Sequence, residues 1–277
     1  MNIEQHRDDQ FDSCNPDEML RSVEINPTEL CNRTCVFCPR ADPEIYPNRK
    51  KFIDNDTVKN LCHGLNEIEY TNRVGFVGFG EPLLHPDIYT CISIVRKILP
   101  ELRCLEINTN GDRLTSDTIL KLYNSGCSHI TVSMYDRDRS DEYNQMKRDV
   151  PINMIYRHHY SAKNNYNLNI VNRSEMLTSN TTMYCKSPCH IPFYKMMIDW
   201  NGDVLLCNND WSRTVVFGNI NTSSVYDIWF GQHMNAHRSK LLSGRHLCSP
   251  CKGCSIDGLK RGRESVNNYI ERYENKI

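Results

Sequence analysis

The 277-residue chain has no apolar run near the ~18 residues that a bilayer-crossing helix needs, so no membrane partner is expected. Its first twenty residues, MNIEQHRDDQFDSCNPDEML, lack the apolar segment of an export signal. An excess of charge is missing as well. The 33 Lys and Arg stand against 34 Asp and Glu, a formal net charge of −1. That balance gives no general electrostatic reason to expect a nucleic-acid partner. No Gly-x-Gly-x-x-Gly follows a strand-like segment, which removes the usual dinucleotide fingerprint. What remains is a chain expected in the cytoplasm, long enough for one full-sized core with a small appendage.

Cysteine is what the chain has in quantity, with fourteen. A disulfide framework suits a short exported domain rather than a long chain without a signal, and the positions argue the same way. Cys31, Cys35 and Cys38 crowd into LCNRTCVFCPR (30–40), and Cys185, Cys189, Cys207, Cys248, Cys251 and Cys254 lie in the last third. Cys14, Cys62, Cys91, Cys104 and Cys127 stand alone, and the last four read as small buried hydrophobes. Three thiolates on one loop are one short of the four that a structural zinc site uses. They suffice for three irons of a cubane cluster with the fourth iron left open. A zinc site completed by a fourth residue such as His is the plainer alternative.

From residue 22 to about 171 strand-like and helix-like segments alternate. SVEINP (22–27), RVGFVGF (73–79), CLEINTN (104–110) and HITVSM (129–134) read as strands, with INMIYR (152–157) and LNIVNR (168–173) weaker. Residues 54–69, 87–99 and 115–126 read as helices between them. Such a repeat predicts an α/β fold with a mostly parallel sheet, open or as a partial barrel of about six strands. Chemistry then belongs at the carboxyl ends of the strands, and the Cys31–Cys38 loop follows the first strand directly. Past residue 178 the character changes. KMMIDWNGDVLLC predicts a hairpin turning at Asn201-Gly202. The stretch 223–244 reads as one helix presenting Val225, Ile228, Trp229 and Leu241, and CSPCKGC (248–254) closes a small metal-stapled module. The expected division is an extension (1–21), a core (22–177), the cysteine module (178–260) and a tail or helix (261–277).

Cys31-x3-Cys35-x2-Cys38, with Phe37 before the last cysteine, resembles the motif of the radical S-adenosylmethionine enzymes. The resemblance implies a partial (β/α)6 barrel and a [4Fe–4S] cluster on these three cysteines. It also implies S-adenosyl-L-methionine on the open iron and a flavodoxin- or ferredoxin-type electron donor. VGFVGFGEPLLHPD (74–87) resembles that family's Gly-Gly-Glu-Pro segment, with Phe79 in place of the second glycine. In the family this segment receives the methionine moiety. Gly78 and Gly80 are therefore expected beside it, and Glu81 either orients the segment or contacts the amine. Asn108, Asn110 and Ser133 are expected to face the cofactor's ribose and carboxylate, although Asn110-Gly111 alone is only a turn signal.

Cys189, Gly202-x4-Cys207 and Cys251-x2-Cys254 resemble, in that order, the SPASM/twitch modules of the same family. The further cysteines of the two-cluster form do not follow Cys254. One auxiliary [4Fe–4S] cluster on Cys189, Cys207, Cys251 and Cys254 is the expectation, and a structural zinc knuckle is the alternative. Cys248-x2-Cys251 has the same spacing as Cys251-x2-Cys254, so the register stays open, and Cys185 is a spare thiol. The landmarks as a whole are most similar to a twitch branch that oxidises an alcohol of an aminocyclitol. This implies hydrogen abstraction from a polar small molecule (carbohydrate, aminocyclitol or nucleoside) and oxidation of an alcohol to a carbonyl, with the auxiliary cluster as electron acceptor. Arg173 and Tyr135 are the candidate substrate residues, with Ser174-Glu175 standing where that branch has two glycines. Cys185 would return hydrogen if the reaction were instead an epimerisation. Modification of a peptide substrate competes with both reactions, and a non-enzymatic iron–sulfur carrier would share the cysteines without the chemistry.

Overall fold

The computed structural model of the chain describes residues 19–159, 176 and 187–273. The sheet begins with β1 (Ser22–Ile25), β2 (Arg73–Phe76), β3 (Cys104–Thr109), β4 (His129–Met134) and β5 (Asn153–His158). It continues with β6 (Lys195–Ile198), β7 (Asp203–Leu205) and β8 (Val216–Asn219). All eight form one sheet in the order β5-β4-β3-β2-β1-β6-β7-β8, parallel from β5 through β6 and antiparallel from there to β8. Among the described residues no helix is long and apolar enough to cross a membrane.

The period of two sorts the strand residues onto two faces. Val23, Ile25, Val74, Phe76, Leu105, Ile107, Ile130 and Val132 are buried and share one core with the helices α1 (Asn55–Glu67), α2 (Ile88–Ile98) and α3 (Ser116–Asn124). Asp54 and Thr115 start α1 and α3 by accepting the amides of Thr57 and Thr118, which satisfies one orphan donor of each helix. Cys62, Cys91 and Cys127 fill the same core, as small buried hydrophobes should, and Cys104 is buried outside it with its Sγ 3.5 Å from His129 Nδ1. The opposite face is polar. It carries Glu24 and Lys195, Arg73, Glu106, Thr131, Ser133 and Arg157 on successive strands, and the pairs Arg73–Glu106 (2.6 Å), Arg73–Glu24 (3.6 Å), Lys195–Glu24 (2.7 Å) and Arg157–Glu106 (3.8 Å) cross it.

The expected strand at 168–173 lies outside the described residues. The sixth parallel strand found is β6, which pairs with β1 in the register Ser22↔Lys195 to Ile25↔Ile198. The C-terminal hairpin therefore continues the sheet of the core. It turns at Gly202, whose φ of 87° suits a residue without Cβ. The single helix expected over 223–244 is two, α4 (Val225–Trp229) and α5 (Gln232–Ser243). Gly231 separates them with its α-carbon against the preceding turn, where a Cβ would stand 2.1 Å from the Asp227 carbonyl oxygen. The C-terminal segment is a helix, α6 (Arg263–Tyr273), seated through Tyr269, whose ring meets Phe193 edge-on at 5.1 Å.

Candidate functional site

Cys31, Cys35 and Cys38 lie on the loop leaving the carboxyl end of β1, all partly exposed, with the Cys38 amide bonded to the Cys35 carbonyl. Asn48 clasps the loop from the side, accepting the Cys31 amide (2.8 Å) and donating to the Cys31 carbonyl (2.8 Å). Burial pushes the Cys31 thiol up and the Cys35 thiol to about 11, with the neighbouring thiols adding repulsion. Three thiols on one loop offer one thiolate to each of three irons, so the chemistry of this donor set fits a cubane with its fourth iron open.

The segment after β2 is fastened to the cysteine loop. The Glu81 amide donates to the Leu30 carbonyl (2.8 Å) and the Phe79 amide to Asn26 Oδ1 (2.9 Å). The close approach explains both glycines. A Cβ on Gly80 would stand 2.3 Å from the Thr28 carbonyl oxygen and 2.7 Å from that of Leu30, and a Cβ on Gly78 would stand 2.3 Å from Asn26 Oδ1. Glu81 is buried and accepts three bonds, from the Leu83 amide (3.1 Å), Thr109 Oγ1 (2.6 Å) and the Asn110 amide (2.8 Å). Burial raises its pKa against the pull of these donors. These bonds tie the end of β2 to the end of β3 through Glu81. Phe79 turns into a buried aromatic group with Tyr46 and Trp211, its ring 4.8 Å from that of Trp211.

Asn110 reaches back to the cysteine loop, donating to Asn32 Oδ1 (2.9 Å), while Asn108 accepts from Ser133 Oγ (3.2 Å). Arg33 completes the bracing with a two-pronged bond to Asp112 (2.7 and 2.5 Å) and an ion pair to Asp136 (2.8 Å). Tyr135 lies between Phe37 and His159, each ring 5.1 Å away, and burial raises its hydroxyl to about 12. It borders a cleft of about 190 Å³ whose charged lining includes Arg33, Asp112, Asp136, Arg137 and Arg139. His85 is spoken for, its Nε2 at 2.8 Å from the Ile53 carbonyl. Arg173 and Cys185 lie outside the described residues.

Four cysteines of the C-terminal part lie near enough for their charges to act on one another. Burial pushes Cys207 and Cys251 far up, and the charges of Cys189 and Cys254 push in the same direction on both; Cys189 is raised to about 11. The Asn209 amide points at Cys207 Sγ (3.4 Å). Arg245, buried and bonded to the Pro188 and Ile256 carbonyls, lowers Cys189 by its charge. A Cβ on Gly258 would stand 2.5 Å from Cys189 Sγ, so this turn must be bare for the chain to close over the thiol. Cys248 is buried too, with the charge of Lys240 acting on it and its own charge acting on Cys251. Donor chemistry and bare turn together fit a fully ligated cluster.

The two cysteine sites are bridged. Trp211, four residues past Cys207, packs on Tyr46 (4.9 Å) and Phe79, and Cys38 packs against the same group. Arg213 bonds Tyr46, Glu29 and Asp199 across this seam. Sequence reasoning missed Arg33, Arg40, Tyr46, Trp211 and Arg213. The first two sit inside the quoted cysteine stretch and were readable as cations beside a metal site, whereas the other three become neighbours only through β1–β6 pairing.

Residues 25–167 match the Radical SAM superfamily and residues 189–255 the SPASM iron–sulfur cluster-binding domain. The chain is 26% identical over 254 residues to the S-adenosyl-L-methionine-dependent 2-deoxy-scyllo-inosamine dehydrogenase of Niallia circulans, covering 87% of this chain and 96% of that protein. A GTP 3',8-cyclase of Pectobacterium atrosepticum is 28% identical over 117 residues, 42% of this chain and 34% of the cyclase. Among solved structures, that of BtrN in complex with AdoMet and 2-DOIA superposes with a TM-score of 0.75 at 23% identity, over 90% of this chain and 98% of that one.

Proposed function

The chain belongs to the radical S-adenosylmethionine superfamily, and from that premise we propose that it oxidises an alcohol of a polar small molecule to a carbonyl. The observation that carries this reading is the pairing of a three-thiol loop with a separate four-thiol set, joined by one buried seam. The similarity to a dehydrogenase over nearly the full length of both proteins supports it. When bound, a cluster with one open iron and S-adenosylmethionine supply a 5'-deoxyadenosyl radical for hydrogen abstraction, and a four-thiolate cluster supplies an acceptor for the electron left behind.

The chain's own residues have four tasks in this reading. Cys31, Cys35 and Cys38 hold the first cluster, and Cys189, Cys207, Cys251 and Cys254 hold the second. Gly78, Gly80, Glu81 and Asn110 shape the cofactor end of the sheet, with Asn108 and Ser133 offering polar contacts. Phe37 and Tyr135 supply flat apolar surface beside it. The paired charges of Glu24, Arg73, Glu106, Arg157 and Lys195 line the polar face, where hydroxyl and amino groups of a small substrate find hydrogen-bond partners. Arg173 is the further candidate for substrate contact. A flavodoxin- or ferredoxin-type protein is the proposed electron donor.

The test is an anaerobic assay with deuterium on the alcohol carbon of a candidate aminocyclitol or sugar. Deuterium should appear in 5'-deoxyadenosine, one S-adenosylmethionine should be consumed per product, and the product should be lighter than unlabelled substrate by two hydrogens. A product of unchanged mass and inverted configuration would replace the dehydrogenase with an epimerase.

A further inference from the structure

Arg40 is a buried guanidinium, 4% exposed, in the short turn Pro39–Ala41 that begins directly after Cys38. Its Nε donates to the Phe79 carbonyl (2.7 Å) and its Nη1 to Asn48 Oδ1 (3.2 Å). That same Asn48 oxygen accepts the Cys31 amide, so Arg40 and the first cysteine share one acceptor. The guanidinium lies over the Tyr46 ring at 4.8 Å. Nη2 is buried and has no hydrogen-bond partner. Among the described residues no carboxylate forms an ion pair with it, although an unpaired buried cation is costly. The guanidinium thus keeps one buried donor unused, with no carboxylate bonded to it among the described residues.

Three thiolates and a cubane core form a net-negative assembly that gains one more negative charge on reduction. Its sulfurs accept hydrogen bonds, and such bonds and nearby charge set its potential. We propose that Arg40 donates its free Nη2–H to a sulfur of the cluster held by Cys31, Cys35 and Cys38, and that its charge makes this cluster easier to reduce. The inference rests on the radical S-adenosylmethionine reading of the first site. It assigns Arg40 a positioning and tuning role, with no part in the bond-breaking step.

The test follows the midpoint potential of the first cluster by spectroscopic redox titration without S-adenosylmethionine. The signal is identified as the one missing from the Cys31, Cys35, Cys38→Ala triple variant. Arg40→Gln should lower the equilibrium constant for one-electron reduction about tenfold, a potential about 59 mV more negative. Arg40→Lys, which keeps the charge, should recover part of the difference. Arg40→Met, which keeps the length of the side chain and removes its charge and donors, should shift the potential the same way as Arg40→Gln and serves if the glutamine variant takes up no iron. Unchanged potentials in the loaded variants would overturn the proposal. So would equal shifts in the Lys and Gln variants, or an effect seen only with S-adenosylmethionine present, which would assign Nη2 to the cofactor's carboxylate. Failure of the wild-type protein to hold four iron and four sulfide at this site would instead remove the underlying reading.

Discussion

Glu106 carries a charge on a side chain 1% exposed, between Arg73 and Arg157. Burial alone would raise its pKa, but the two guanidinium groups outweigh it and hold the value at about 2. An unfolded Glu titrates near ~4.3. The folded-state value is the lower one, so this stabilisation is present above about pH 4.3 and disappears as pH falls towards 2. Thermal melts of the wild-type protein should therefore lose stability steeply across that window. Glu106→Gln should melt earlier at pH 7, by about 3–5 kcal/mol as for other broken buried pairs, and change less between pH 4.3 and 2. Parallel slopes for the two proteins would show that other carboxylates govern acid unfolding.

Among the loops that carry the sites, the one after β2 has the least room. Gly80→Ala would drive a methyl group into two backbone oxygens of the cysteine loop, neither of which can rotate away. Iron uptake at the first site should fall several-fold, with the second site still filled; full loading of both would mean that the loops separate at little cost. Much of this was readable beforehand. Alternating Val, Ile and Phe announced β1 through β4, and the opening Asp54 and closing Gly126 announced two of the helices, because those signals are local. The motif letters could not decide the task of Glu81, since an orienting carboxylate and a ligand-binding one are spelled alike. The break at Gly231 was hidden because apolar spacing continues through it. β6 as the neighbour of β1 left no trace, since parallel pairing between distant segments is written in neither one alone.

At the scale of the molecule, one seam joins the two cysteine sets, with Tyr46, Phe79 and Trp211 inside it and Arg213 across it. Cys207→Ser should remove the second cluster's spectroscopic signal, leave cleavage of S-adenosylmethionine in place and stop carbonyl formation. Loss of both signals together would mean that the seam needs the second cluster to hold its shape.

The register that sets Ser22 beside Lys195 also has a consequence for synthesis. A ribosome delivers β1 first, and the strand that covers its outer edge only after most of the chain has been made. Until then β1 presents unpaired backbone amides and carbonyls, the condition under which strands recruit foreign ones. The cysteine loop hangs from that same unguarded strand. Nascent chains stalled before residue 195 should accordingly be more prone to aggregate than those stalled beyond 205, and iron delivered before release would find the first site without its far wall.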